Sequence, residues 1–343
     1  MSDDAGGAAA EPDSTAATLE AAERWFVHHG LPYFVDSERA AVREGLRPRR
    51  LIPAMAGSAL VAVGVGVLLG WLTDDVSLGI GTALTFAGIG AGLYAATTLR
   101  MTAMARWAVT RTFKSLGLLF PLVTRALPLL LVFVMFLFIN AEVWEVGAAL
   151  DGGVLWVTVL LFAGLAVAFL LARLPEELDA VDDEVDSQRL VVLTRGTPLN
   201  QAAERLVDKG ESGIGLAEDS TVRGFQKANL IVVLLVAQIV QVFLLSLSVL
   251  AFFIVFGTVA MKSSVVEGWI GDQQLNPWGV GYLSAELVQV SVFLAAFSGM
   301  YFTVAAITDE VYRKQFFTSI TRELERAVGA RTVYHYLKSQ PTS

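Results

Sequence analysis

The chain has 343 residues, of which 55% are apolar and 17% charged, and its net charge is −8. Soluble domains carry about 25% charged residues, so this composition is typical of a protein embedded in a membrane. The negative charge argues against nucleic-acid binding. The absence of cysteine excludes disulfides, thiolate metal sites and cysteine nucleophiles.

Six apolar runs are long enough for a helix that crosses the hydrocarbon core of a bilayer, which needs roughly 20 residues. They cover residues 51–72, 76–99, 128–147, 153–172, 230–261 and 287–308. The sequence therefore predicts an all-α integral membrane protein with six transmembrane helices. Of its 25 basic residues, all but Lys262 fall on the side of the N-terminus or at that boundary. By the positive-inside rule, both termini are expected in the cytoplasm.

The segments between the spans have helical patterns of their own. Residues 101–120 form an amphipathic stretch suited to the membrane interface, and 309–337 suggest one long helix or two broken near Gly329. Residues 190–193 resemble a short strand, and residues 198–207 a helix. The predicted organisation is a cytoplasmic N-terminal segment with amphipathic helices (1–50), four transmembrane helices (51–174), an acidic cytoplasmic loop (175–228), two further transmembrane helices (229–308) and a cytoplasmic C-terminal helix (309–343).

Small residues recur every fourth position on the first two spans. The first span carries the row Ala54, Ser58, Ala62, Gly66 and Gly70, and the second carries Gly88, Gly92 and Ala96. Such rows let helix backbones approach closely, and only three residues connect the two spans. We expect a tight antiparallel hairpin packed through these rows. The alternative is a glycine face that lines a pore or acts as a hinge.

Polar residues within or beside the third, fifth and sixth spans are the candidates for a substrate or ion path, because burying a polar group at membrane depth costs free energy. The path is predicted between the third, fifth and sixth spans, in the outer half of the bundle. Its candidate residues are Asn140, Glu142, Glu145, Gln238, Gln241, Glu286 and Gln289. In the alternative interpretation, the amides join neighbouring helices and the glutamates lie among lipid headgroups.

Arg125 precedes the third span, between Pro121 and Pro128. If the span began earlier, Arg125 would lie inside the membrane and would be a candidate functional residue. If the prolines mark a bend at the inner boundary, its guanidinium would reach an anion or a lipid phosphate. The second placement is favoured.

Known catalytic patterns are missing from the sequence. There is no Walker A loop, no HExxH motif and no Ser-His-Asp signature, and the three histidines, His28, His29 and His335, lie outside the spans. The sequence therefore predicts neither enzyme activity nor a bound cofactor or metal.

Three stretches carry a resemblance to known proteins. They are 24–27 with Gly30-Leu31-Pro32, then 126–130 with 138–144, and 296–299 with Tyr301-Phe302. In these stretches the chain resembles a family of uncharacterised multi-spanning membrane proteins from actinobacteria, which has no assigned activity. The resemblance implies a location in a bacterial plasma membrane.

Two functions follow from these patterns. The first is a channel or transporter for a small solute or ion, with a cation slightly favoured because the outer loops are acidic. The second is a non-transporting scaffold or regulator that acts through the cytoplasmic amphipathic helices. The expected partners are the lipid bilayer and a small ion or solute, without nucleic acid, and a homo-oligomer is compatible with the sequence.

Overall fold

The computed structural model describes residues 12–74, 76–114, 130–150, 152–182, 189–208, 222–271, 274–275, 277, 279, 283–308 and 310–340. The fold is all-helical, and these residues contain no strand. The helices in chain order are α1 (Pro12–His28), α2 (Asp36–Gly45), α3 (Pro48–Thr73), α4 (Val76–Thr98), α5 (Met101–Lys114), α6 (Leu130–Phe138), α7 (Ala141–Ala148), α8 (Gly152–Asp182), α9 (Leu190–Leu193), α10 (Asn200–Asp208), α11 (Phe225–Ala260), α12 (Ser263–Ile270), α13 (Ala285–Thr308) and α14 (Glu310–Ser339).

Among the described helices, α3, α4, α8, α11 and α13 are long and apolar enough to cross a membrane. A sixth crossing exists only if α6 and α7, which meet at an angle of 75°, count as one broken span. The protein is therefore a helical membrane protein, and its described residues contain five or six candidate spans. The first, second, fifth and sixth predicted runs each lie within, or nearly coincide with, one of these helices.

The third predicted span, 128–147, is wrong as a straight helix. Helix α6 ends at Phe138, and the side chain of Asn140 accepts a hydrogen bond of 2.8 Å from the backbone N–H of Glu142, in the first turn of α7. The indole N–H of Trp144 then donates to the free carbonyl of Phe138 at 2.6 Å. These two bonds satisfy backbone groups that a break would otherwise leave unpaired at membrane depth. Residues 115–129, with Arg125 and both neighbouring prolines, lie outside the described residues.

Two other boundaries differ from the prediction. Helix α8 does not end at residue 172 but continues through Pro175 to Asp182, and Arg173 pairs with Glu176 on the next turn. Residues 190–193 form one turn of helix instead of a strand, closed by a bond from the Thr194 hydroxyl to the Leu190 carbonyl at 2.7 Å. A short apolar run cannot be assigned to strand or helix from its periodicity alone.

The chain forms two units. The first comprises the described parts of residues 1–108, 182–233 and 325–343, and the second those of 109–181 and 234–324. The predicted N-terminal segment, most of the acidic loop and the end of the C-terminal helix thus belong to one unit. The last four apolar helices lie largely in the other.

In the first unit, α3 and α4 form the expected tight hairpin. A Cβ on Gly66 would lie 2.6 Å from the carbonyl oxygen of Gly79 and 2.7 Å from the Cβ of Ala83, so the backbones touch there. The row predicted on α3 is confirmed at Ser58, Ala62 and Gly66. The row predicted on α4 is wrong, because Cβ atoms on Gly88 and Gly92 would meet nothing within 4 Å. The packed row of α4 instead contains Gly79, Ala83 and Gly90.

The rest of the first unit is a helical core built around α1. Phe26 is fully buried, and its ring centroid lies 5.5 Å from that of Phe34 and 5.6 Å from that of Tyr334. Helix α14 continues unbroken past Gly329, where a Cβ would lie only 2.8 Å from the Cβ of Leu193. Glycine at this position therefore allows α14 to approach α9 closely.

Two buried polar side chains of the first unit are paired across it. The Asn229 side chain accepts a bond from the Tyr33 backbone N–H and donates to the Gly30 carbonyl, both at 2.9 Å. The Tyr334 hydroxyl donates to the Glu23 carboxylate at 2.6 Å. Burial, together with this bond, raises the pKa of Tyr334, so the hydroxyl stays protonated as a donor.

In the second unit, α11 and α13 run antiparallel and touch at two glycines. The space beside Gly257 is filled by Leu287 and Phe138, and the space beside Gly299 is filled by Ser246 and Val242. Helix α6 contacts α11 through the stacked rings of Phe138 and Phe253, whose centroids are 4.6 Å apart. These contacts set the register in which the candidate polar residues lie.

Candidate functional site

The seven candidate path residues do not converge on one place. Glu286 precedes Leu287, which packs on Gly257 of α11. Gln241 precedes Gly257 by 16 residues, which corresponds to about 24 Å along the helix. The candidates therefore form two groups, one near α7 and one toward the start of α11. We call them the α7-end group (Asn140, Glu142, Glu145, Glu286 and Gln289) and the α11 pair (Gln238 and Gln241).

Asn140 and Gln289, in the α7-end group, satisfy the two ends of one short helix. Asn140 caps the N-terminus of α7, as described above. The Gln289 side-chain amide donates to the carbonyl of Leu150, just beyond the C-terminus of α7, at 3.3 Å. A Cβ on Gly147 would lie 2.6 Å from a methyl carbon of Val290, so α7 lies directly against α13. Both amides therefore hold α7 in place.

Glu286 has a similar architectural contact. It is 6% exposed, and one carboxylate oxygen accepts the backbone N–H of Leu275 at 3.0 Å, while the other oxygen has no partner in the described residues. The neighbouring Ser284 hydroxyl accepts the N–H of Leu287 at 3.1 Å and caps α13. The carboxylate lies in the first turn of α13, where the helix dipole favours negative charge. Glu142 and Glu145 are exposed on α7.

The α11 pair is different because its side chains are not hydrogen-bonded to any helix end or loop that the structure describes. Gln238 is 0% exposed and Gln241 is 7% exposed, and their three-residue spacing puts them on one face of α11, as the sequence predicted. Within the part of the chain that the structure describes, neither polar atom of Gln238 has a hydrogen-bond partner, and the carbonyl oxygen of the Gln241 side chain has none. A buried polar group left unpaired costs about 1–3 kcal/mol, so such groups require an explanation.

Ser291 on α13 is a further buried polar residue that the sequence analysis did not select. It is fully buried, and in the described residues its hydroxyl has no partner. A serine in a membrane helix ordinarily donates to the carbonyl four residues earlier, as Ser298 does to Leu294 at 2.6 Å. Nothing in the sequence distinguishes these two serines, because the difference lies in their contacts.

The spans α8, α11 and α13 line an open cavity of about 400 Å³ in the second unit. Its walls are apolar side chains and small residues, and they include neither member of the α11 pair. This cavity therefore does not supply the polar path that the sequence analysis predicted.

The described residues contain no group of three or more His, Cys, Asp or Glu side chains that could hold a metal ion. His29 stacks on Trp25 with ring centroids 4.1 Å apart, and its Nδ1 lies 2.8 Å from the Trp25 carbonyl oxygen. This histidine is thus engaged in the packing of α1.

No known family model, curated protein or solved structure matches this chain. The resemblance to actinobacterial membrane proteins stays a prediction.

Proposed function

We propose that the protein transports a small polar solute or ion across a bacterial plasma membrane, with both termini in the cytoplasm and the α11 pair in the path. The observation that supports this is the burial of Gln238 and Gln241 without partners for three of their four polar atoms in the described residues. At membrane depth the natural partners for such atoms are water and a permeating solute. A side-chain amide offers both a donor and an acceptor, which suits a hydrated cation or a neutral polar molecule.

The proposed path is narrower than the sequence suggested. Asn140 and Gln289 are bonded at the two ends of α7, and one oxygen of Glu286 accepts the Leu275 N–H, so these residues are assigned to architecture and not to the solute. Ser291 on α13 is a separate candidate contact, one helical turn beyond Leu287 and so nearer the α7-end group than the α11 pair. The exposed carboxylates Glu142 and Glu145 lie on α7, which packs against the first turns of α13. There they would concentrate cations near the proposed entrance of the path.

The scaffold alternative has less support. It depends on apolar faces of the amphipathic helices being free for a partner. Phe26 of α1, Met104 of α5, and Val328 and Tyr334 of α14 are instead fully buried in the protein. These parts of the predicted docking faces are already occupied.

The proposal is tested by flux into liposomes that contain the purified protein. The probes are K⁺, Na⁺, Mg²⁺ and Ca²⁺, read with ion-sensitive dyes, and urea and glycerol, read by light scattering. If one probe permeates, the double variant Gln238→Leu/Gln241→Leu should lower its flux by about tenfold, the effect of losing one hydrogen bond of roughly 1–1.5 kcal/mol at the barrier.

The matched control is Ser248→Leu on the same helix. Ser248 is exposed, and its hydroxyl donates to the Leu244 carbonyl at 2.8 Å. This control should transport like the wild type. The proposal fails if none of the six probes permeates, or if the double variant and the control have equal flux.

A further inference from the structure

The cavity between α8, α11 and α13 is an apolar groove within the membrane-spanning part of the second unit. Ala163 and Val167 of α8, Phe243 and Leu247 of α11, and Ala296 and Met300 of α13 are among its walls. Phe243 is 62% exposed and Leu247 is 47% exposed, so the groove opens sideways on the protein surface. In a bilayer, that surface faces hydrocarbon.

The groove is long and narrow. On α8 it extends from Trp156 to Leu170, which is about 21 Å of helix, and on α13 from Val292 to Thr303, which is about 17 Å. These lengths exceed half of the roughly 30 Å hydrocarbon core. The groove therefore matches the depth of one lipid leaflet, and it extends toward the Arg173 end of α8.

The shape of the groove suits a single hydrocarbon chain. Its walls are apolar and small side chains, and it opens sideways toward the hydrocarbon of the bilayer. A hydrocarbon chain is thin, apolar and already present in that hydrocarbon, so it can lie along the roughly 17–21 Å of helix that line the groove.

A basic side chain lies at one end of the groove. Arg173 is three residues beyond Leu170 on α8, so it continues the groove face by one helical turn. Its side chain is 27% exposed and pairs with Glu176. A guanidinium at the boundary of an apolar span is well placed to bind a lipid phosphate, and its planar fork can contact the phosphate and the carboxylate together.

We propose that the groove binds one acyl chain of an anionic phospholipid, with the phosphate of that lipid at Arg173. The bound lipid belongs to the leaflet at the Arg173 end of α8. This inference does not depend on the proposed transport path, because the α11 pair does not line the groove.

The first test measures lipid retention by native mass spectrometry. Full-length protein is released from mixed vesicles of phosphatidylglycerol and phosphatidylcholine, and the lipid that remains bound is identified. The wild type should retain phosphatidylglycerol. Ala163→Phe and Ala296→Phe place a ring inside the groove and should abolish retention. Ala168→Phe adds the same ring to the exposed, opposite face of α8 and should retain lipid like the wild type.

The second test addresses the headgroup. Arg173→Gln should reduce the preference for phosphatidylglycerol over phosphatidylcholine by about fivefold, the factor expected for one basic side chain near a charged membrane surface. Arg50→Gln is the control, because Arg50 also lies at the end of a span and near a glutamate, with 3.6 Å to Glu44. This control should leave the preference unchanged.

Three results would overturn the whole proposal, and a fourth would overturn its phosphate contact. Wild-type protein that retains no lipid excludes a bound chain, and retention that survives both groove-filling variants places the lipid elsewhere. A wild-type dimer that becomes a monomer in both Ala163→Phe and Ala296→Phe, but not in Ala168→Phe, would identify a second copy as the occupant. Arg173→Gln with unchanged preference would remove the phosphate contact from the proposal.

Discussion

Asn229 and Gln238 lie on the same helix, α11, and both are 0% exposed, yet they differ in what surrounds them. Asn229, in the first unit, bonds the Gly30 carbonyl and the Tyr33 N–H and so fixes the turn that follows α1. Gln238, in the second unit, has no partner among the described residues. The burial of an amide side chain thus does not by itself show whether the residue has a structural or a functional role. Its hydrogen-bond partners separate an architectural residue from a candidate for function.

The same distinction divides the candidate path residues. Asn140 and Gln289 resemble Asn229, because each satisfies backbone groups at a helix end. Gln241 resembles Gln238, because its side-chain carbonyl is unpaired in the described part of the chain. Variants that remove these amides should therefore affect either stability or transport, but not both.

The largest expected effect is on stability at Asn229. Asn229→Leu leaves the buried Tyr33 N–H and Gly30 carbonyl unpaired, and each such group costs about 1–3 kcal/mol. We expect a loss of about 2–4 kcal/mol in the free energy of unfolding, measured by denaturant titration in detergent. Gln238→Leu is the matched control, and it should leave stability unchanged or raise it. Equal destabilisation by the two variants would contradict the distinction between them.

A smaller effect is expected at the α3–α4 hairpin. Gly66→Leu must displace the Gly79 carbonyl or the Ala83 side chain, and overpacking of this kind costs about 1–3 kcal/mol. Gly88→Leu introduces the same side chain where a Cβ meets nothing within 4 Å. Thermal unfolding in detergent should separate the two variants. A Gly88 variant as unstable as the Gly66 variant would show that the packed face of α4 has been assigned wrongly.

The smallest effect is expected at the bend between α6 and α7. Trp144→Phe keeps most of the buried ring but removes the N–H that donates to the Phe138 carbonyl at 2.6 Å. The expected cost is about 1–2 kcal/mol. Trp269→Phe on α12 is the control, since the two indole rings are neighbours at 6.3 Å. The assigned bond is refuted if the two substitutions lower the melting temperature equally.

The sequence predicts the long apolar helices well because length and hydropathy do not depend on tertiary contacts. Helices α3, α4, α11 and α13 nearly coincide with or contain the predicted runs. The bend at Asn140 was not predicted, because an asparagine inside an apolar run is equally compatible with a helix cap and with a polar residue in a span. The packed face of α4 was predicted wrongly for a similar reason, because small residues occupy more than one row of that helix.

The candidate site was predictable only in part. Spacing alone puts Gln238 and Gln241 on one face of a helix. The antiparallel register of α11 and α13 puts Glu286 beside the level of Gly257, which is about 24 Å along α11 from Gln241, and that register depends on the close contacts at Gly257 and Gly299. The bond between Gln289 and Leu150 joins residues far apart in the chain. No local pattern indicates such a contact.

The central claim is that the α11 pair faces water inside the membrane-spanning part of the protein. Because the chain contains no cysteine, a single Gln241→Cys introduces its only thiol. Labelling with a membrane-impermeant, charged thiol reagent in liposomes should then modify Gln241→Cys from at least one side. Ser248→Cys, at an exposed position two turns further along the same helix, should remain unmodified in lipid, and Glu142→Cys should react readily. Failure to label Gln241→Cys from either side, while Glu142→Cys reacts, would contradict the account.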